Sequence, residues 1–199
     1  MIVIGVTGNF ASGKSEAAGI LKRKGARVFD ADLAAKQVVG IGMPAYKAIV
    51  KIFGKTYLHK DRTIDRRKLA ARVFSNPADL KKLNTLTHPG VIFECFKAIH
   101  QTKRKKGILV LDVPLLYESK METLADFTVV IDSSMKNILR RAQKNGLSAG
   151  LTRRILSTQW PIARKVRRAD FVIENNGTLK ELEKKVLEVV KKIKSKNEQ

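Results

Sequence analysis

Short apolar runs and longer amphipathic stretches alternate along the chain. Residues 2–7 form a largely apolar run, too short for a membrane span, closed by Gly8 and followed by a helix-permissive stretch at 16–22. That pattern is a buried parallel strand feeding a helix. Residues 25–29 lead into a short second strand ending in Asp30-Ala31-Asp32, and two acids at that spacing share a face if the chain is still extended. Residues 107–112 and 127–132 are further buried strands, each tipped by a carboxylate, and 171–174 make a fifth. Between the second and third strands the periodicity turns helical: 33–39, then 45–53 after a break at 40–44, then 66–74 behind an Asp65 N-cap. Ser75-Asn76-Pro77 opens another helix, and His88-Pro89 begins one more that runs to about Lys103. Ser133 or Ser134 caps a helix toward Asn145, a basic helix runs to Gln159, and Asn175-Asn176-Gly177 makes a tight turn. Thr178 with Glu181 forms a capping box for the last helix, whose stripe of Leu179, Leu182, Val186, Val189 and Ile193 faces the core. Its tail, 191–199, is expected to fray.

This alternation predicts an α/β fold with a five-stranded parallel sheet covered on both faces. At 199 residues, without repeat or linker, the whole chain (1–199) reads as one domain. The helical block at about 60–106 exceeds what one crossover needs, which suggests an inserted substrate-binding subregion.

The loop after the first strand carries the strongest chemical signal. Gly8-Asn9-Phe10-Ala11-Ser12-Gly13-Lys14-Ser15 has the spacing of a phosphate-binding loop. In such a loop backbone N–H groups ring a polyphosphate, the lysine reaches its β- and γ-phosphates, and the serine hydroxyl ligates magnesium. The glycines let the backbone curl around an anion at the positive end of the next helix. Ligands of open parallel sheets bind at the carboxyl ends of strands, which brings Asp30, Asp32 and Asp112 to the same edge. Glu16, in the first turn, favours the helix dipole and is expected to point away from a bound polyphosphate.

Composition is ordinary except for charge. Forty Lys and Arg face 18 Asp and Glu, for a formal net charge of +22. That favours anionic partners, either nucleotide polyphosphates or nucleic acid, beside the plain reading of a solvated lysine-rich surface. The clusters Lys103-Arg104-Lys105-Lys106 and Arg164-Lys165-Val166-Arg167-Arg168 suggest weak nonspecific nucleic-acid association, while few aromatics and no recognisable module argue against a dedicated role. The one cysteine, Cys95, sits in an apolar stretch and reads as a core thiol. Met1-Ile2-Val3 lacks the basic start of a signal peptide and no run reaches spanning length, so no membrane association is expected and the cytoplasm is the expected compartment. Oligomeric state is left open.

An ordered set of motifs then runs through nearly the whole chain: Thr7-Gly8 to Ser15, Asp30-Ala31-Asp32, Phe53-Gly54, Ile64-Asp65-Arg66 with Leu69, Val73-Phe74, His88-Pro89, Val113-Pro114-Leu115-Leu116 with Glu118, Gln159, and Ala169-Asp170 to Asn175 and Gly177. The set resembles that of the dephospho-CoA kinases. The resemblance implies a three-layer P-loop kinase fold with a helical acceptor-binding region and a short lid at about 140–168. It implies transfer of the ATP γ-phosphate, with Mg2+, to the ribose 3′-hydroxyl of dephospho-CoA. The alternatives are a P-loop kinase of another nucleoside, nucleotide or small hydroxyl acceptor, and a nucleic-acid-binding P-loop protein.

By that resemblance, residues 8–16 and Lys14 hold ATP and Ser15 holds magnesium. Asp32 matches the position that orients the 3′-hydroxyl and accepts its proton; its other reading is a helix cap, a role open to Asp30 as well. Arg66 and His88 match acceptor-side positions, with a solvated helix charge and a helix cap as their respective alternatives. Leu115 is either substrate wall or core. Asp112 accepts from Ser15 or from a magnesium-bound water, and Glu118 is read as structural. Arg140 matches the first of two lid arginines that close on the transferring phosphate, and Lys144 stands where the second is usual, keeping the charge without the bidentate fork. Asn175 and Gly177 match a turn that contacts adenine. Asn9, Phe10 and Ala11 make the loop poorer in glycine than the family pattern.

Overall fold

In the computed structural model, which describes residues 1–198, β1 (Ile2–Gly8) is buried along almost its whole length. It lies at the centre of a five-stranded, all-parallel sheet. The remaining elements, in chain order, are α1 (Lys14–Arg23), β2 (Arg27–Asp30), α2 (Ala31–Val38), α3 (Pro44–Phe53), α4 (Arg66–Ser75), α5 (Pro77–Thr102), β3 (Ile108–Asp112), β4 (Phe127–Asp132), α6 (Met135–Lys144), α7 (Ala149–Ser157), α8 (Ile162–Val166), β5 (Phe171–Glu174) and α9 (Leu179–Asn197). Sheet order is β2-β3-β1-β4-β5. The register pairs Val6 with Asp112, Gly8 with Ile131, Asp30 with Asp112 and Asp132 with Glu174. One edge of the sheet therefore collects the strand-end carboxylates and the start of the glycine-rich loop.

The chain forms two compact units. The sheet unit comprises Met1–Asp30 and the chain from Ala98 onward. Helices α1 and α9 pack on one sheet face, where Ala17, Ile20 and Leu21 meet Ile4, Val6, Val110 and Ile131, and Leu182, Val186 and Ile193 of the α9 stripe close the cluster. Continuous apolar strands are what a sheet buried on both faces requires. Helix α9 holds its geometry to Asn197, so the fraying expected from Lys191 is not seen, and Gln199 lies outside the described residues.

The helical unit is Ala31–Lys97 and has its own core, in which Ile49, Ile64, Leu69 and Val73 pack with Tyr46, Phe53 and Tyr57. It contains most of the block expected at 60–106 and begins earlier, with α2. Two local expectations are corrected in it. Asp30 and Asp32 do not share an extended face, because the chain turns helical at Ala31. His88-Pro89 does not begin a helix, because α5 runs unbroken for 26 residues with Pro89 inside it. A proline removes only one ladder bond, and the long apolar pattern on either side outweighs that loss. Cys95 is fully buried, and burial pushes its thiol up to about 12.

Candidate active site

The loop's shape follows from two left-handed residues. Ala11 has φ 57° and Gly13 φ 97°, and these turns fold the chain back so that α1 starts at Lys14 with Gly13 at its N-cap. Ala17 N–H is the first to close onto the helix, on Gly13 O at 3.1 Å. The N–H groups before it therefore point out of the N-terminus, the arrangement that receives an anion. Gly13 is required twice over, since its φ is unfavourable for any L side chain and a Cβ there would strike the Asn175 amide. Ala11 lacks that licence; an L residue there costs about 1–2 kcal/mol. Ala11→Gly is expected to stabilise the fold by about 0.5–1 kcal/mol after glycine's extra unfolded-state entropy. A rise in Tm of about 1–4 °C in thermal unfolding at constant ATP affinity is the expected result; a lower Tm would contradict the strain.

Three groups hold the loop from behind. Asn175, 5 % exposed, donates its Nδ2 to Ser12 O at 2.8 Å. The Arg141 guanidinium bonds to Ser12 O at 3.0 Å, Ala11 O at 3.4 Å, Ser133 Oγ at 3.0 Å and Asn175 O at 2.9 Å. Gln159 Oε1 accepts from Phe10 N–H at 2.9 Å. With the Ala11 and Ser12 carbonyls and the Phe10 and Ser12 amides engaged, the amides at the start of α1 are the ones left for an anion.

Lys14 is only 8 % exposed and donates to the Asp112 carboxylate, which is 4 % exposed. Ser15 Oγ is 3.5 Å from Lys14 Nζ. Asp112 is thus the acceptor for the loop lysine. Glu16 turns along α1 to pair with Arg23 at 3.2 Å.

Beneath the loop lies a group that the sequence did not single out. Lys165 is fully buried, paired with Glu118 at 2.9 Å, and donates to Pro114 O at 3.1 Å, the carbonyl that also accepts from Thr7 Oγ1 at 3.1 Å. Burial lowers the Lys165 pKa, Glu118 opposes that shift, and the charge of Lys14 adds to it. Glu118 Oε1 also accepts from the Trp160 backbone N–H at 2.9 Å, and the Trp160 ring lies parallel to Tyr117 and carries the Arg164 guanidinium 3.5 Å from its centre. Residues 159–165 are therefore tied to the base of the phosphate loop through Gln159, Trp160 and Lys165.

Asp32 is exposed in the first turn of α2, immediately after the strand-ending Asp30. Arg66 is exposed at the start of α4 and donates to Lys36 O at 2.9 Å. His88 is half-buried within α5, where burial lowers its pKa; its cap reading falls with the helix start. Leu115 is half-buried and follows Pro114. Arg140 and Lys144 are both exposed on α6. Gly177 is exposed, and a Cβ there would strike Glu181 and break the capping box of α9.

A model of the dephospho-CoA kinase family matches residues 2–181. The chain belongs to that family. Among its relatives, the dephospho-CoA kinase of Lactobacillus johnsonii is 39% identical over 96% of this chain and 97% of its own. That of Geobacillus kaustophilus is 40% identical over 96% of each. The solved dephospho-CoA kinase from Campylobacter jejuni covers 98% of both chains with a TM-score of 0.71 and 26% identity. Shikimate kinase from Acinetobacter baumannii, at 14% identity and a TM-score of 0.54 over 98% of this chain and 94% of its own, shares the fold alone. The five-stranded parallel sheet with its glycine-rich loop is thus that of the P-loop kinases. Among the described residues, no helix is long and apolar enough to cross a membrane.

Proposed function

We propose that this chain transfers the γ-phosphate of ATP to the ribose 3′-hydroxyl of dephospho-CoA, yielding coenzyme A and ADP in the cytoplasm. The observation that carries the reading is a phosphate loop with its lysine held on Asp112, in a chain that matches the family over residues 2–181. Phosphoryl transfer needs positioning and charge neutralisation more than covalent chemistry from the protein. Lys14 leaves Asp112 for the β- and γ-phosphates, while the loop amides and the start of α1 take the phosphate oxygens. Asp32 orients the 3′-hydroxyl and accepts its proton as the new O–P bond forms and the bond between the β,γ-bridging oxygen and the γ-phosphorus breaks. Arg66, His88 and Leu115 are assigned to the acceptor by their match to the family's motifs. The Asn175–Gly177 turn meets adenine at its Gly177 end, since Asn175 commits its side chain to the loop and its own N–H and C=O to Asp132, Ser133 and Arg141.

The donors beside Lys14 fit a magnesium ion that arrives with the triphosphate. Among the described residues no group of three or more His, Cys, Asp and Glu is arranged to hold a metal by itself. Ser15 Oγ and the Asp112 carboxylate are hard oxygen donors of the kind magnesium takes alongside phosphate oxygens. When bound, such an ion neutralises phosphate charge.

Arg140 is exposed and able to close on the transferring phosphate, so Arg140→Ala is expected to lower kcat by about 100-fold while changing ATP affinity only a few-fold. Steady-state rates beside equilibrium ATP titrations separate the two, and a loss of ATP affinity alone would contradict the transition-state role. The reading as a whole is tested by ADP release with dephospho-CoA, adenosine, AMP and no acceptor. Turnover that requires dephospho-CoA supports it, and preferential turnover with another acceptor overturns it.

A further inference from the structure

The sheet has a second functional edge. All five strands run parallel, so the segments that precede them gather where the strands begin, opposite the phosphate loop. Three of those segments are basic: 22–24 before β2, 103–106 before β3 and 167–168 before β5, every residue of them exposed, while the segment before β4 carries Glu122 and Asp126. Helix α9 ends at the same edge, because Lys196 Nζ lies 5.1 Å from the ring centre of Phe171, the first residue of β5. Its last turns add Lys191, Lys192, Lys194 and Lys196, also exposed.

Four acids there are already engaged. Asp126 accepts from Val3 N–H and Asp170 from Thr128 N–H, both at 2.7 Å, filling donors left over where strands start. Glu183 and Glu122 pair with Lys24 and Arg168, and Arg23 reaches back along α1 to Glu16 in its first turn. Glu188, one turn before Lys191 and Lys192, and Glu198, past α9, are the remaining acids near the lysines of that helix. Among the described residues, Lys103, Arg104, Lys105 and Lys106 form no ion pair.

We infer that this edge binds the phosphodiester backbone of a nucleic-acid duplex. The cations stand before β2 and β3 at one end of the sheet order and before β5 at the other, roughly 20 Å apart at about 4.8 Å between strands. That breadth meets a run of phosphates and exceeds any single nucleotide. These segments contain no aromatic residue and no exposed large apolar side chain. They therefore have nothing to stack on unpaired bases and nothing to insert into a bilayer, which favours duplex backbone over single strands or membrane. The length of β1, at about 3.3 Å per residue, separates the edge from the phosphate loop by roughly 20 Å. Duplex and ATP then bind together.

The test is fluorescence polarisation with labelled 20-base-pair RNA and DNA duplexes between 50 and 200 mM KCl, with ATP and dephospho-CoA as competitors and phosphatidylserine vesicles as a control surface. About six phosphate contacts predict a ~1000-fold loss of affinity across that range. Lys103→Glu with Arg104→Glu, Lys105→Glu and Lys106→Glu is expected to weaken duplex binding by at least about 100-fold at 50 mM and to flatten the salt slope by about 3–4. Lys191→Glu with Lys192→Glu and Lys194→Glu acts in the same direction, and both variants keep wild-type melting and ADP release. Tighter binding of RNA than DNA identifies RNA as the duplex recognised, and equal binding identifies the backbone alone. Unchanged duplex affinity in both variants, displacement of the duplex by ATP, or vesicle binding without duplex binding would each overturn the inference.

Discussion

Asp32→Asn is expected to reduce kcat by about 10²–10⁴, the usual contribution of a positioned general base, with ATP affinity near wild type. The substitution separates the two readings of this residue. Asp32 sits at the positive end of α2, where a carboxylate is also favourable for the helix, but asparagine serves a helix start about as well as aspartate. Its exposure limits any effect on stability. A structural role therefore leaves the rate intact, whereas a proton acceptor is lost outright. Steady-state ADP release under saturating ATP and dephospho-CoA makes the measurement, and a rate within a few-fold of wild type would remove Asp32 from the mechanism.

Lys14→Met is expected to abolish turnover and to destabilise the fold. Lys14 and Asp112 are both buried, and deleting one member of such a pair leaves the other without a counter-charge, at about 3–5 kcal/mol. Asp112→Leu added to Lys14→Met replaces the pair with apolar groups of similar volume and is expected to restore most of that stability without restoring turnover. Denaturant unfolding of wild type, single and double variants makes the comparison. Recovery of activity in the double variant would mean that Lys14 matters only as a partner for Asp112, and not as a ligand of the phosphates.

The strand pattern and the phosphate loop were legible because both are local: apolar runs closed by glycine or aspartate, and a glycine, lysine and serine spacing that backbone geometry dictates. The helical segments at 33–39 and 45–53 emerge almost as expected, as α2 and α3. The single helix across His88-Pro89 was hidden because proline is a strong local stop signal, and only the context of the whole of α5 overrides it. The supports behind the loop were less visible still. Arg141 lies beside Arg140 and Lys144 in a segment read for its lid cations, yet its fork turns to the carbonyls of Ala11 and Ser12. Lys165 lies in a five-residue basic run in which neighbouring charges are exposed, and nothing local distinguishes the buried one. The available signal was the acid it needs: Glu118, far away in sequence, follows an apolar segment. Asn175 was read for adenine, while its side chain closes on the loop from 163 residues away, a contact no spacing rule encodes.

The most direct measurement of the central claim follows the labelled γ-phosphate of ATP into product after a single turnover with dephospho-CoA. The account requires the label to appear in coenzyme A, on the ribose 3′-oxygen, and to be released by a 3′-specific phosphatase. Label on any other oxygen of dephospho-CoA, or release as free phosphate with the acceptor unchanged, would contradict it.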